Sequence, residues 1–265
     1  MLTREEFDTL AAAAAEGTAT TEELAALEPY RVRRAVIMAA GFGCRMVPVT
    51  LERPKPLVRV NGTRIIDTLL DALLAAGVDE IYVVRGYKAE EFDELLEKYP
   101  MLRFLYNPLY KETNAISSAR CAADLLEDAY LCEADQIIRN PTIITPYQYS
   151  SNFLGVPVSA TDDWCLTTEE DGVITGVRRG GTDCHRLYVV SYWTAEDGKK
   201  LGRDIRKAFD MPGGRDIFFE SVPLNLFPEN YRVRVRECSF GDIEEIDTFE
   251  ELKAADSSYE TYGTN

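Results

Sequence analysis

Histidine is nearly absent from this chain of 265 residues, and its six cysteines follow no metal-binding pattern. The single histidine, His185, stands beside Cys184, and no Cys-x-x-Cys pair occurs. A zinc site is therefore not expected, and scattered thiols are typical of a reduced, intracellular enzyme. The chain also lacks a basic-then-apolar N-terminal signal and an apolar run long enough to span a bilayer. These absences favour a cytoplasmic protein with no membrane partner.

Positive charge is scarce as well, because 29 Lys and Arg residues stand against 45 Asp and Glu residues, a formal net charge of -16. Such a surface repels polyanions, which argues against binding to nucleic acids. The positive charge is unevenly placed: the basic residues between Arg33 and Arg64 face a single acid, Glu52. One basic region in an acidic chain favours a small polyphosphate as the ligand.

Neither familiar phosphate-binding loop is present in this basic region. A short apolar run at 36–38 predicts a buried strand, and small residues follow it at once. The third glycine of a dinucleotide fingerprint is missing, and so is the Gly-Lys-Ser/Thr of a P-loop. Small residues still let the backbone approach a ligand, and glycine N–H groups with basic side chains beside them bind anions. The candidates for a triphosphate site are Ala39, Ala40, Gly41, Gly43, Arg45 and Lys55.

This loop and the residues after it resemble the signature of the nucleotidyltransferases. The matching residues are Ala39, Ala40, Gly41, Gly43, Arg45, Pro48, Thr50, Pro54, Lys55 and Leu57. The resemblance implies a Rossmann-like α/β fold, a three-layer sandwich with a mostly parallel mixed central sheet. It also implies transfer of a nucleotidyl group from a nucleoside triphosphate, with Mg²⁺ as the cofactor. Arg45 and Lys55 are then catalytic residues that stabilise the departing pyrophosphate.

Predicted strands and helices alternate through the first half of the chain, which indicates a parallel sheet wound with crossover helices. The strand at 81–84, for example, follows a predicted helix at 65–76. In such sheets the ligand binds at the carboxyl ends of the strands. Together with the resemblance, this placement adds four candidates for nucleotide binding, namely Gly86, Tyr87, Asn114 and Ser118.

Two later carboxylates complete the predicted site. Asp135 follows the predicted strand at 129–132, where a hard cation could be held, and Asp247 precedes the last predicted helix. The resemblance assigns Mg²⁺ to Asp135 and Asp247, with Asp135 also catalytic. Where the family carries an Asp-x-Asp pair, this chain has Glu133, a candidate neighbour of the metal ligands. Asp247 also suits an ordinary helix N-cap, and both roles stay open.

Across residues 34–255 the order of features resembles the bacterial CTP:phosphocholine cytidylyltransferases. The resemblance includes an Asp-Trp pair at 163–164, an aromatic cluster at 216–220 and an acidic segment at 243–247. It implies transfer of CMP from CTP to phosphocholine, which yields CDP-choline and pyrophosphate. A quaternary ammonium cannot donate a hydrogen bond and is held by aromatic faces. The candidates for this contact are Trp164, Tyr192 and Phe219.

Two other functions stay open. One is a sugar-1-phosphate nucleotidylyltransferase that uses UTP or dTTP with a hexose phosphate, and the other is a non-catalytic, nucleotide-binding regulator. The predicted organisation is a short helical arm at 1–30, a nucleotidyltransferase domain at 31–256 and a mobile polar tail at 257–265. The arm is acidic and lacks a recognition helix, so a packing or dimer contact is favoured over DNA binding. A homo-oligomer therefore stays open.

Overall fold

A seven-stranded mixed sheet forms the centre of the computed structural model, which describes residues 1–262. Its strands are β1 (Arg34–Ala39), β4 (Glu80–Arg85), β5 (Arg103–Tyr106), β6 (Ala129–Glu133), β8 (Asn152–Thr168), β9 (Ile174–Trp193) and β10 (Arg234–Glu237). Two short antiparallel ribbons add β2 (Arg59–Val60) with β3 (Thr63–Arg64), and β7 (Gln136–Ile138) with β11 (Ile243–Glu245). The helices are α1 (Arg4–Ala15), α2 (Thr21–Leu27), α3 (Val49–Glu52), α4 (Ile65–Ala75), α5 (Ile116–Cys121), α6 (Ala195–Asp210) and α7 (Phe249–Ala255). None of the described helices is long and apolar enough to cross a membrane.

The strand order of the sheet is β10-β8-β9-β6-β1-β4-β5. Strand β1 lies parallel to both of its neighbours, and β4 with β5 and β8 with β10 are also parallel pairs. Only β9 runs antiparallel to the strands beside it. The prediction of an α/β fold with a mostly parallel mixed sheet is therefore confirmed.

Alternate residues of β1 face two different hydrophobic cores, because successive side chains of a strand point to opposite faces. Ile37 packs with Leu69 of α4 on one face of the sheet. Val36 packs with Ile116 of α5 and Leu201 of α6 on the other face. Helices thus cover both faces, as in the three-layer sandwich that the sequence predicts.

The N-terminal arm consists of two capped helices that pack on the domain. Thr3 and Thr20 each form a capping box with the glutamate three residues later, which satisfies the free N–H groups of the first helical turn. The ring of Phe7 packs against Tyr30 and Tyr149, with centroid distances of 5.1 and 5.3 Å. This aromatic cluster anchors α1 to the domain.

The segment after α7 also contacts the domain. The hydroxyl of Tyr259 donates to the carbonyl of Arg59 at 2.8 Å, and the hydroxyl of Tyr262 donates to Glu52 at 2.6 Å. The predicted tail at 257–265 therefore contacts the domain through Tyr259 and Tyr262. Residues 263–265 of that tail lie outside the described part of the chain.

Candidate active site

A cavity of about 580 Å³ opens at the carboxyl ends of β1 and β6. This is the edge of the sheet at which the sequence predicts a ligand. Most of the predicted site residues meet there although they come from distant parts of the chain. The predicted residues that line the cavity are Ala39, Ala40, Gly41, Gly43, Arg45, Lys55, Asn114, Ser118, Asp135, Trp164 and Asp247.

The loop after β1 depends on glycine at position 43. Gly43 has a φ of 69°, in the left-handed region, and a Cβ there would lie 3.0 Å from the Cβ of Lys55. Any other residue would therefore be strained and would press on Lys55. The hydroxyl of Thr50 donates to the Gly43 carbonyl at 3.0 Å and holds the loop. The loop is thereby shaped to place Lys55 in the cavity.

Lys55 joins the two carboxylates that are predicted to bind metal. Its Nζ lies 2.9 Å from Oδ2 of Asp135 and 2.7 Å from Oδ1 of Asp247, and its side chain is only 10% exposed. Burial alone would lower the pKa of Lys55, but the charges of the two aspartates outweigh burial and raise it. Lys55 is therefore a permanent cation on the cavity floor.

Asp247 is held by two cations. Its second oxygen, Oδ2, accepts from Nη2 of Arg45 at 2.9 Å. Burial raises the pKa of Asp247, but Lys55 and Arg45 outweigh that effect and lower it. The N-cap of α7 is Thr248, whose side chain accepts from the Glu251 N–H. The capping role that the sequence left open for Asp247 thus belongs to Thr248, and the Asp247 carboxylate faces the cavity.

A cluster of three carboxylates could hold a metal ion. Oxygen atoms of Glu133, Asp135 and Glu245 all lie within 4.8 Å of one another, and Oδ1 of Asp135 is buried with no hydrogen-bond partner among residues 1–262. Burial and the nearby Asp135 raise the pKa of Glu245 to about 8 and that of Glu133 well above its usual range. Carboxylates that raise one another's pKa are suited to a hard divalent cation such as Mg²⁺, because the cation neutralises their mutual repulsion.

The sequence analysis missed Glu245 as a site residue. Glu245 ends β11 two residues before Asp247. The neighbouring Glu244 turns away from the cavity and pairs with Arg139. The two-residue period of a strand was the available signal, since positions 245 and 247 then lie on one side of the chain.

The aromatic wall differs from the predicted one. Trp164 lines the cavity, and its partner there is Phe218, with ring centroids 5.4 Å apart. The predicted Phe219 is fully buried against Phe153. The predicted Tyr192 is 1% exposed and belongs to the hydrophobic core on the α4 side of the sheet. Neither residue lines the cavity, whose aromatic lining residues are Trp164, Phe218 and Tyr110.

Glu220 is a buried acid in the same wall of the cavity. It is 2% exposed, it lines the cavity, and its Oε2 has no hydrogen-bond partner in the described chain. Burial raises the pKa of Glu220 to about 7. A buried carboxylate oxygen without a donor is costly unless a ligand supplies one. Glu220 is therefore a candidate contact for a cationic part of a ligand.

The remaining predicted residues line the cavity or lie behind its wall. Nδ2 of Asn107, a residue that the sequence analysis did not select, donates to the Ser118 hydroxyl at 3.1 Å. Tyr87 supports the loop from behind, since its N–H donates to the carbonyl of Ala40 at 3.0 Å. A Cβ on Gly86 would come within 2.8 Å of the Tyr110 ring. Gly86 and Tyr87 are thus packed behind the cavity lining.

Comparisons with known proteins identify the family to which this chain belongs. The family model described as nucleotidyl transferase matches residues 34–146. A 2-aminoethylphosphonate cytidylyltransferase of Lancefieldella rimae is 38% identical over 228 residues, which cover 85% of this chain and 92% of that protein. A choline-phosphate cytidylyltransferase of Streptococcus pneumoniae is 28% identical over 83% of this chain and 95% of its own length.

A solved structure of a cytidylyltransferase has the same fold as this chain. The CTP:phosphocholine cytidylyltransferase of Streptococcus pneumoniae superposes with a TM-score of 0.78 at 27% identity, covering 86% of this chain and 99% of that one. The predicted nucleotidyltransferase family is confirmed by the 38% identical cytidylyltransferase of Lancefieldella rimae, which matches most of both chains. The chain belongs to the nucleotidyl transferase family and is a nucleotidyltransferase.

Proposed function

We propose that this protein is a cytidylyltransferase that transfers CMP from CTP to 2-aminoethylphosphonate. The observation that carries the choice of acceptor is the buried, unpartnered Oε2 of Glu220 in the cavity wall. A primary ammonium can donate a hydrogen bond to this oxygen, whereas the quaternary ammonium of phosphocholine cannot. The 38% identity to a 2-aminoethylphosphonate enzyme, against 26–28% for two choline-phosphate enzymes, supports the same choice.

The reaction needs positioning and charge neutralisation, with no covalent intermediate on the protein. A phosphonate oxygen of the acceptor attacks the α-phosphorus of CTP and forms a P–O bond. The bond between the α-phosphorus and the bridging oxygen breaks, and pyrophosphate leaves with the electron pair. Lys55 supplies a fixed positive charge on the cavity floor. Arg45, from the glycine loop, supplies a second positive charge in the more exposed part of the cavity. Such preorganised charges stabilise the transition state more than the ground state.

The nucleotide binds along the loop after β1 in this proposal. The N–H groups of Gly41 and Gly43 are available to the phosphates, as in other backbone anion sites. Asn114 and Ser118 offer polar side chains to the base and ribose from the start of α5. Asn107 fixes the orientation of the Ser118 hydroxyl.

The carboxylates fit Mg²⁺ as the cofactor. All candidate ligand atoms are carboxylate oxygens, and Oδ1 of Asp135 is buried without a partner, as expected for a position that a cation would satisfy. We assign Mg²⁺ to the cluster of Glu133, Asp135 and Glu245 and to the predicted ligand Asp247, whose oxygens also bind Lys55 and Arg45. When bound, the ion supplies Lewis-acid polarisation of phosphate oxygens.

The acceptor binds on the side of the cavity formed by the β8–β9 hairpin. Arg179 is the cross-strand partner of Trp164 and lines the cavity, and it has no ion pair within residues 1–262. It can therefore bind the phosphonate while Glu220 binds the ammonium. The two charged ends of 2-aminoethylphosphonate would then each meet a side chain of opposite charge.

Phosphocholine is the second candidate acceptor. The observation that favours it is the pair of aromatic rings, Trp164 and Phe218, in the cavity wall. Aromatic faces attract a quaternary ammonium without hydrogen bonds. Glu220 would then act only through its charge.

Acceptor competition tests the proposal. The purified enzyme is assayed for pyrophosphate release with CTP and either 2-aminoethylphosphonate or phosphocholine. We expect a higher kcat/KM for 2-aminoethylphosphonate. Glu220→Gln should lower kcat/KM for 2-aminoethylphosphonate by about 10- to 100-fold, because one charge-assisted hydrogen bond is lost. The same substitution should change phosphocholine turnover much less. Glu250→Gln, at an exposed position on α7, is the matched control. A wild-type preference for phosphocholine contradicts the choice of acceptor.

A further inference from the structure

A second cavity lies where the N-terminal arm meets the domain, and it shares no lining residue with the active-site cavity. Its volume is about 520 Å³, within the range of small-molecule sites. One wall is α1, with Phe7 facing the interior. The other walls are the segment that carries Tyr147 and Tyr149 and the edge strand β10. The cavity therefore exists only while the arm is packed on the domain.

The charged groups around this second cavity are paired with one exception. Arg4 binds Asp8 at 2.9 Å, and Arg234 binds Asp171 at 3.0 Å. Arg236 has no ion pair with any described residue, and its Nη2 is buried without a hydrogen-bond partner. The wall thus carries one uncompensated positive charge.

Arg236 is also fixed in place by its surroundings. Its Nε makes a long contact, 3.4 Å, with Oδ1 of Asn152, whose own Nδ2 donates to Gln148. This contact does not reach Nη2, which stays without an acceptor. Arg236 lines the cavity without an ion pair in the described chain, so its guanidinium suits a ligand that brings an anionic oxygen.

We propose that the arm and the domain together form a second ligand site for an aromatic monocarboxylate. The carboxylate pairs with the guanidinium of Arg236, and its single charge balances the single unpaired cation of the cavity wall. The aromatic body packs against the rings of Phe7, Tyr147 and Tyr149, which supply apolar, π-rich walls. The bound molecule contacts both arm and domain and so stabilises their packing.

The test measures binding to the full-length protein with benzoate, phenylacetate and indole-3-acetate as probes. Titration calorimetry and amide hydrogen exchange of α1 are the two readouts. We expect at least one acid to bind saturably and to slow exchange in α1. The matched neutral amide of that acid should bind at least 10-fold more weakly, because it lacks the charge. Inorganic phosphate, which lacks an aromatic body, should not protect α1.

Two variants locate the site. Arg236→Gln removes the charge and should weaken binding of the acid at least 10-fold, with pyrophosphate release unchanged. Ala11→Trp fills the cavity from the arm and should abolish binding, which gives an independent test if Arg236→Gln is poorly folded. Saturation by none of the three acids overturns the proposal. So does equal binding to wild type and Arg236→Gln, or displacement of the acid by CTP, which would place it in the active site.

Discussion

Lys55 and Asp247 lie 192 positions apart in the chain, yet Nζ of the lysine is 2.7 Å from Oδ1 of the aspartate. The same ammonium contacts Asp135, so one buried cation holds two acids that flank the paired strands β7 and β11. The glycine loop and the carboxylates are thus one unit. Each of the following predictions removes one part of that unit or of its surroundings.

Lys55→Met keeps most of the side-chain volume and removes the charge. We expect the rate of pyrophosphate release to fall by about 10²- to 10³-fold, because the fixed positive charge on the cavity floor is lost. Lys98→Met is the control, since Lys98 pairs with Asp71 on the surface. More than a tenth of wild-type activity in Lys55→Met would show that this charge does not assist the reaction.

Asp135→Asn tests the assigned metal ligand. The amide keeps the shape of the carboxylate and cannot replace its charge, so we expect turnover to be lost while the circular dichroism spectrum is unchanged. Binding of Mn²⁺, followed by electron paramagnetic resonance as a probe for the divalent site, should weaken as well. Asp93→Asn, an exposed residue paired with Arg85, is the control. Full activity in Asp135→Asn would exclude the assignment.

Phe218 and Phe219 are adjacent and should respond to substitution in opposite ways. Phe219→Ala removes a fully buried ring, so the free energy of unfolding should fall by about 3–5 kcal/mol. Phe218→Ala should change stability by only about 1 kcal/mol and should raise KM for the acceptor. Urea unfolding and steady-state kinetics of both variants provide the measurement. A raised acceptor KM in Phe219→Ala alone would show that Phe219, as predicted from the sequence, and not Phe218, contacts the acceptor.

Glu245 should make the stability of the metal-free protein depend on pH. Burial raises its pKa from about 4.5 to about 8, so between these values the folded chain keeps a proton that the unfolded chain has lost. The contribution of Glu245 to the free energy of unfolding is therefore full at pH 4.5 and is lost as the pH rises to 8. Urea unfolding at pH 5, 6.5 and 8 with EDTA should show this decline, and Glu245→Gln should make it less steep, since Glu133 and Glu220 also have raised pKa values. Glu244→Gln is the control, and equal pH slopes in wild type and Glu245→Gln would contradict the prediction.

Local spacing explains what the sequence could predict. Gly43, Arg45 and Lys55 lie in one short segment after a strand. A short connection keeps them close to the end of that strand, so their position is predictable from the sequence. Asp135 follows β6, the strand next to β1, so the rule for parallel sheets places it at the same edge. These residues meet in the cavity as predicted.

The aromatic wall and the additional acids depend on information that spacing does not contain. Whether Phe218 or Phe219 faces the cavity is decided by how the segment before residue 222 packs on β8, through Phe153. Tyr192 lies in the part of β9 that pairs with Tyr130 in the sheet interior, a register that sequence alone does not define. Glu220 is recognisable as a site residue only once its burial is known.

Pyrophosphate release from CTP in the presence of 2-aminoethylphosphonate tests the central claim most directly, with ³¹P NMR to identify the product. We expect release that requires both substrates and Mg²⁺, and a product in which the phosphonate phosphorus is coupled to the phosphorus of CMP. UTP with glucose 1-phosphate, assayed in parallel, should give far slower release. Faster turnover of that sugar phosphate pair, or no release from CTP with either 2-aminoethylphosphonate or phosphocholine, would contradict the proposed cytidylyltransferase.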